Sequence, residues 1–282
     1  MRSSRWWVAA ACVVGGFFAQ PQPAQAGAWV QAPGQFYLKV WARSLYGSNA
    51  YTADGSAQGI PRYQDHQLNL YGEAGVTEQL TVLASLTPIG FASINGERTA
   101  YVGPILTGLR LALLQGDVPL ALEVHYGVEP GVGRRLYDEV HVDGEGVGRR
   151  VVYDPAIYNH RGEFQLQVGR GFRVRRSDAW FVGSAGVRVN SHYREALVAF
   201  LQVGVKPGRF TIDLHAQLVE PFFADLTTSN VPGVGDTRYL GFGLTVAVAV
   251  TDRFAINAGF GGVLYAQSNA ATPSLELGIE FH

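Results

Sequence analysis

Leu275-Glu276-Leu277-Gly278-Ile279-Glu280-Phe281-His282 ends the chain, and its alternation decides the fold. Successive side chains of a strand point to opposite faces. Leu275, Leu277, Ile279 and Phe281 therefore share one face, and Glu276, Gly278 and Glu280 share the other. The segment 237–250 repeats the pattern, with Leu240, Phe242, Leu244, Val246 and Val248 set against Gly241, Gly243, Thr245, Ala247 and Ala249. Working outward, the same period appears at 35–45, 66–76, 80–89, 105–115, 119–128, 163–172, 179–189, 196–206, 210–219 and 254–265. Twelve strands with an apolar outer face and a polar or small inner face predict a transmembrane, antiparallel, up-and-down β-barrel of the outer-membrane kind. Closure leaves no bare strand edge in lipid. Ten or fourteen strands are also compatible with the pattern.

Every second connection is short: 77–79, 116–118, 173–178, 207–209 and 251–253. Short turns belong on the periplasmic side and longer loops on the cell surface. Both termini are then periplasmic. Long loops are expected at 46–65 and at 129–161, and Asn95-Gly96 marks another connection. Aromatic residues expected in the girdles at the strand ends are Phe36, Trp41, Tyr71, Phe91, Tyr126, Phe172, Phe210, Phe254 and Phe281.

A secretory leader is expected at 1–26. It has Arg2 and Arg5 in front, an apolar run from Trp6 to Ala19, and Ala24-Gln25-Ala26 as cleavage site, so the barrel domain would occupy 27–282. A retained membrane helix is disfavoured because the run is short and Pro21 and Pro23 break it. A lipoprotein signal at Ala9-Ala10-Ala11-Cys12 is a looser match. Cys12 is the only cysteine, so a chain cleaved after Ala26 has no disulfide and no thiol chemistry. The net charge of −1 does not point to nucleic acid. Thirty-five glycines, 12% aromatics and only 16% charged residues suit a barrel better than a soluble sandwich.

Three stretches carry a family resemblance. They are Gly27-Ala28-Trp29 with Gln31 and Gly34; Leu68-Asn69-Leu70-Tyr71-Gly72-Glu73 with Gly75-Val76-Thr77 and Leu80-Thr81-Val82; and Gly108-Leu109-Arg110-Leu111 with Leu113-Leu114, Gly116-Asp117 and Pro119-Leu120-Ala121-Leu122-Glu123. Together they resemble the XagA-like and phenol-degradation meta-pathway group of outer-membrane barrels. The resemblance covers about the first half of the barrel. It implies an exported or transport-related barrel and supplies no catalytic residues.

The ionisable residues expected on the inner face are Lys39, Arg43, Glu73, Arg110, Glu123, His125, Glu163, Arg188, Asp213, His215, Glu276 and Glu280. They line a narrow pore or pair across it. Small residues at Gly241, Gly243, Ala247, Ala249, Gly259 and Gly261 leave space there. Antiparallel pairing of the first and last strands brings Lys39 opposite Glu280 and Arg43 opposite Glu276 in a single register. The repeats Gly131-Val132-Gly133-Arg134-Arg135 and Gly146-Val147-Gly148-Arg149-Arg150 flank a turn and suggest a hairpin above the membrane. Their arginines are candidates for lipopolysaccharide phosphate, or else meet Asp138, Glu139 and Asp154. No nucleophile–base set is visible around Ser191-His192, and Asp213 with His215 lacks a third metal ligand. No catalysis, cofactor or metal is therefore expected. The leading function is a narrow conduit for small solutes. The alternative is a non-conducting structural component of a trans-envelope complex for polysaccharide export, secretion or gliding motility. Expected partners are outer-membrane lipid and lipopolysaccharide, the barrel-assembly machinery through the C-terminal strand, and envelope-complex proteins.

Overall fold

The computed structural model describes residues 28–52, 54–142, 146–153, 155–192, 195–222, 237–270 and 272–282, with the backbone alone at 138–142, 146–153 and 270. The expected leader at 1–26 lies outside these residues. Sixteen strands run in chain order among the described residues. They are β1 (Phe36–Tyr51), β2 (Ala57–Thr77), β3 (Leu80–Ile94), β4 (Glu97–Tyr101), β5 (Ile105–Leu114), β6 (Leu120–Pro130), β7 (Leu136–Val142) and β8 (Gly146–Tyr153). Then follow β9 (Tyr158–Val174), β10 (Ser177–Asn190), β11 (Ala196–Lys206), β12 (Phe210–Pro221), β13 (Arg238–Thr251), β14 (Phe254–Gln267), β15 (Asn269–Ala270) and β16 (Ser274–Phe281). Twelve of them form the wall. Each pairs antiparallel with its neighbours, and β1 pairs with both β2 and β16, which closes the barrel. Strands β4 and β15 extend β3 and β1 beyond the wall, and β7 with β8 makes a separate hairpin.

The seam register follows the charge pattern. Lys39 lies opposite Glu280 and Arg43 opposite Glu276. A one-residue slip would turn every side chain of β16 to the other face, so alternation on both strands fixes the pairing.

Lipid-facing residues stay exposed although they are large and apolar. Leu277 is 64% exposed, Leu275 56%, Leu214 55% and Phe164 53%. A soluble surface does not sustain so many in one band. Phe36, Phe172 and Phe210 point outward at the short-turn end, where Phe254 and Phe281 pack with ring centroids 5.3 Å apart. Phe91, Tyr126 and Tyr158 are exposed toward the other end. Two of the expected girdle residues face inward instead. Trp41 lies beneath the Lys39 ammonium, and the Tyr71 hydroxyl donates to Glu73. Both occupy odd positions on strands whose odd positions are internal, and the pleat overrides the preference of aromatics for the interface.

The largest correction concerns the first strands. The expected loop 46–65 is mostly strand, and only 52–56 connects β1 to β2. The Asp54 carboxylate organises that turn. It accepts from the Ser56 amide at 3.0 Å and from the Thr52 and Ser56 hydroxyls, and these bonds hold its pKa down to about 2. The polar residues that read as loop pair as strands through a register shift between Gly47 and Asn49, with buried residues at irregular spacing. Ile60, Tyr63, Ile94, Tyr101 and Leu136 form a small apolar core at the far end of the barrel. The segment 129–161 contains the β7–β8 hairpin. Asn95-Gly96 is a tight turn with both residues at positive φ, 48° and 81°.

Candidate functional site

The inner faces of the wall strands enclose two cavities that share His215, Gln217, Thr245 and Glu276 as lining. One, of about 730 Å³, opens toward the short turns. The other, of about 530 Å³, lies toward the long connections.

One side of the lumen is crowded with paired charge. Arg110 on β5 donates from Nε to Glu123 at 2.7 Å and from Nη1 to Glu73 at 3.1 Å. His125 Nε2 stands 2.5 Å from the other oxygen of Glu123. All three members of this carboxylate–guanidinium–carboxylate group are buried. An unpaired charge there would be costly, so the pairing is what permits burial. Higher on the same side, Arg161 and Arg188 each bring Nε to within 3.1 Å of the same Glu163 oxygen. Gln165 donates to the second oxygen at 3.1 Å.

The segment preceding β1 folds into this side. The Gln31 amide donates to Thr81 Oγ1 at 2.8 Å, and the Gln31 side chain donates to Glu73 at 2.9 Å. Arg110 Nη1 also donates to the Trp29 carbonyl at 3.2 Å. Glycines make room for the segment. A Cβ on Gly75 would lie 2.1 Å from the Ala32 carbonyl oxygen, and one on Gly169 would lie 2.8 Å from the Trp29 ring.

The opposite side, from β11 through β16 to β1, is lined more sparsely. Gly241, Gly243, Gly259 and Gly261 border the upper cavity, and Ala247 and Ala249 the lower. Arg43 Nε lies 3.6 Å from Glu276 across the seam. Lys39 is cross-strand from Glu280, but its ammonium rests 5.2 Å from the Trp41 ring centroid. Glu280 accepts instead from Asn257 at 2.9 Å. His215 Nδ1 is 3.4 Å from Asp213 Oδ1. Among the described residues no three His, Cys, Asp or Glu side chains gather as a metal set.

The hairpin arginines are arranged differently. Arg134 is tied down, its amide donating to Thr99 Oγ1 at 2.7 Å and its guanidinium to the Arg98 carbonyl at 3.1 Å. Arg135 is exposed in the same loop. The β7–β8 register sets Arg149 opposite Glu139 and Arg150 opposite Asp138, and those side chains lie outside the described residues. The Ser191 hydroxyl donates to Asn159 at 3.3 Å and accepts the His160 amide at 2.9 Å.

Attention to ionisable residues alone misses several groups that the alternation itself turns inward. These are Trp180, Phe200, Gln165, Gln167, Gln202 and Gln217, all lining the lower cavity. Nothing in the period of the preceding segment signals that Trp29 and Gln31 turn inside.

No protein-family profile matches the chain, and no curated protein does. The fold is similar to that of the COG4313 outer membrane channel from Pseudomonas putida F1, at 14% sequence identity and a TM-score of 0.57, over 92% of this chain and 99% of that one. It is also similar to the translocator domain of the autotransporter NalP from Neisseria meningitidis, at 13% identity and a TM-score of 0.51, over 90% of each chain. At these identities the likeness is one of architecture: this chain folds as an outer-membrane-type β-barrel of twelve strands.

Proposed function

We propose that the protein resides in the bacterial outer membrane and conducts small solutes through its lumen, with the short turns and both termini in the periplasm. The observation that carries this reading is the pair of cavities with shared lining beside a wall of glycine and alanine. A barrel built only as a scaffold has no need of small inward residues along β13 and β14. The exposed apolar belt supports a lipid setting, and a last strand ending in Phe281 suits delivery by the barrel-assembly machinery. The likeness to the XagA-like and phenol-degradation group rests on strand–turn–strand stretches and adds no substrate.

Planar-bilayer recording of the purified protein tests the proposal. Discrete conductance steps are expected, and Gly259→Trp should reduce them, since a side chain there points toward Glu276 and the shared lining. A silent barrel that co-purifies with periplasmic proteins from membranes would instead favour a structural part of a trans-envelope complex. Orientation has its own test. A tag near Gly144 should be reached by antibody on intact cells, and a tag after Thr77 only after permeabilisation.

A further inference from the structure

The lower cavity holds a carboxylate that, among the described residues, forms no ion pair with a lysine or arginine. Four of the carboxylates that line it have one nearby. Glu73 and Glu123 share Arg110, Glu276 has Arg43, and Glu280 is cross-strand from Lys39. At the rim, Asp178 contacts Arg173 at 3.4 Å and is cross-strand from Lys206, and Asp252 is exposed in the turn that follows β13. Asp213 differs. Among the described residues its one ionic contact is His215 at 3.4 Å, and its side chain is only 15% exposed.

Aromatic groups line the cavity on the same wall as this carboxylate. A row of cross-strand neighbours runs Trp180, Gly204, Asp213 across β10, β11 and β12. The Trp180 indole occupies the space over Gly204, since a Cβ on that glycine would be 2.0 Å from the ring. The indole thus covers the position beside Asp213. One step along β12, the His215 ring stacks on Phe200 with centroids 5.8 Å apart and planes 28° from parallel. Trp180, Phe200, Asp213 and His215 all line the same cavity of about 730 Å³.

Aromatic faces carry negative potential and attract cations, and a carboxylate of low exposure adds a full charge. We propose that this β10–β12 wall is a binding site for a small organic cation, an ammonium group borne on an apolar body. The ammonium meets Asp213, and the body lies along Trp180 and Phe200. A cavity of this volume suits a ligand of about ten non-hydrogen atoms. The proposal rests on the conduit reading for its physiological use but not for its binding chemistry.

Three probes of one shape test it: phenethylammonium, 2-phenylethanol and phenylacetate. Each is titrated calorimetrically into the folded barrel in detergent and added to single channels in a bilayer. Phenethylammonium should bind about tenfold or more tighter than the other two and should block current. Asp213→Asn should lose about tenfold of that affinity, Asp213→Glu should retain most of it, and Phe200→Leu should lose several-fold. Heat-modifiable gel migration identifies variants that have folded. Equal binding of the three probes, or unchanged binding in folded Asp213→Asn, overturns the site. Binding without conductance would keep the site and remove the conduit, whereas conductance indifferent to the probes would do the reverse.

Discussion

The two sides of the lumen use the same alternation to opposite ends. From β2 to β10, inward positions carry Glu73, Arg110, Glu123, Glu163 and Arg188, and these fill their side with paired charge and a folded-in N-terminal segment. From β13 to β14, inward positions carry Gly241, Gly243, Gly259 and Gly261, and a cavity remains beside them although the His215 ring covers Gly243. Period two decides which residues enter the lumen, whereas side-chain volume decides where the hole lies. A barrel of twelve strands is wide enough for both solutions at once.

The sharpest way to break this contrast is Arg110→Ala. It leaves Glu73 and Glu123 buried side by side and removes the donor to the Trp29 carbonyl. The expected cost is about 3–5 kcal/mol in a urea-unfolding series in lipid. A cost near zero would mean that the crowded side is not held by this network. Next comes the outer wall. Leu244→Arg should cost about 2–4 kcal/mol at the bilayer middle, and Thr245→Arg should cost less because Thr245 faces the cavities. Equal penalties would show the inner and outer faces of β13 to be misassigned.

Gly259→Trp sharpens the comparison from the open side. It should change stability by about 1 kcal/mol or less while lowering conductance, since the nearest neighbour of an added Cβ is Glu276 Cβ at 3.4 Å. Loss of folding instead would mean that this side is packed rather than open. The smallest effect is at the seam, where Glu276→Gln should cost about 0.2–1 kcal/mol. The register itself is tested by crosslinking. Arg43→Cys with Glu276→Cys should form a disulfide under mild oxidation, and Lys39→Cys with Glu276→Cys should not.

The strand count, the faces and the seam were legible because each follows from a repeated physical constraint. Lipid demands an apolar face at every second position, and two charge pairs agree on one register. The extension of β1 to β3 was not legible, because Asn49 and Pro61 resemble loop chemistry when read without their partners. Only the packing of Tyr63 and Ile94 against Tyr101 shows why those residues are strand. The stretch from Ala28 to Gly34 has no period to read, and its place depends on absent side chains at Gly75 and Gly169. The alternation turns Trp180 inward, but its place over Gly204, the cross-strand neighbour of Asp213, depends on the absent side chain of that glycine.

The seam also bears on how the molecule comes into being. Phe36–Tyr51 is made first and Ser274–Phe281 last, yet they are hydrogen-bonded neighbours. Until the final residues emerge, β1 keeps one flank of amides and carbonyls bare, open to pairing with any other chain. Every earlier hairpin can form from residues close in sequence, but the last join spans nearly the whole polypeptide and bears the largest loop-closure cost. Biogenesis is therefore a race between completing the chain and capture of its free edge. A chain lacking Ser274–Phe281 would leave β1 and β14 without the strand that joins them.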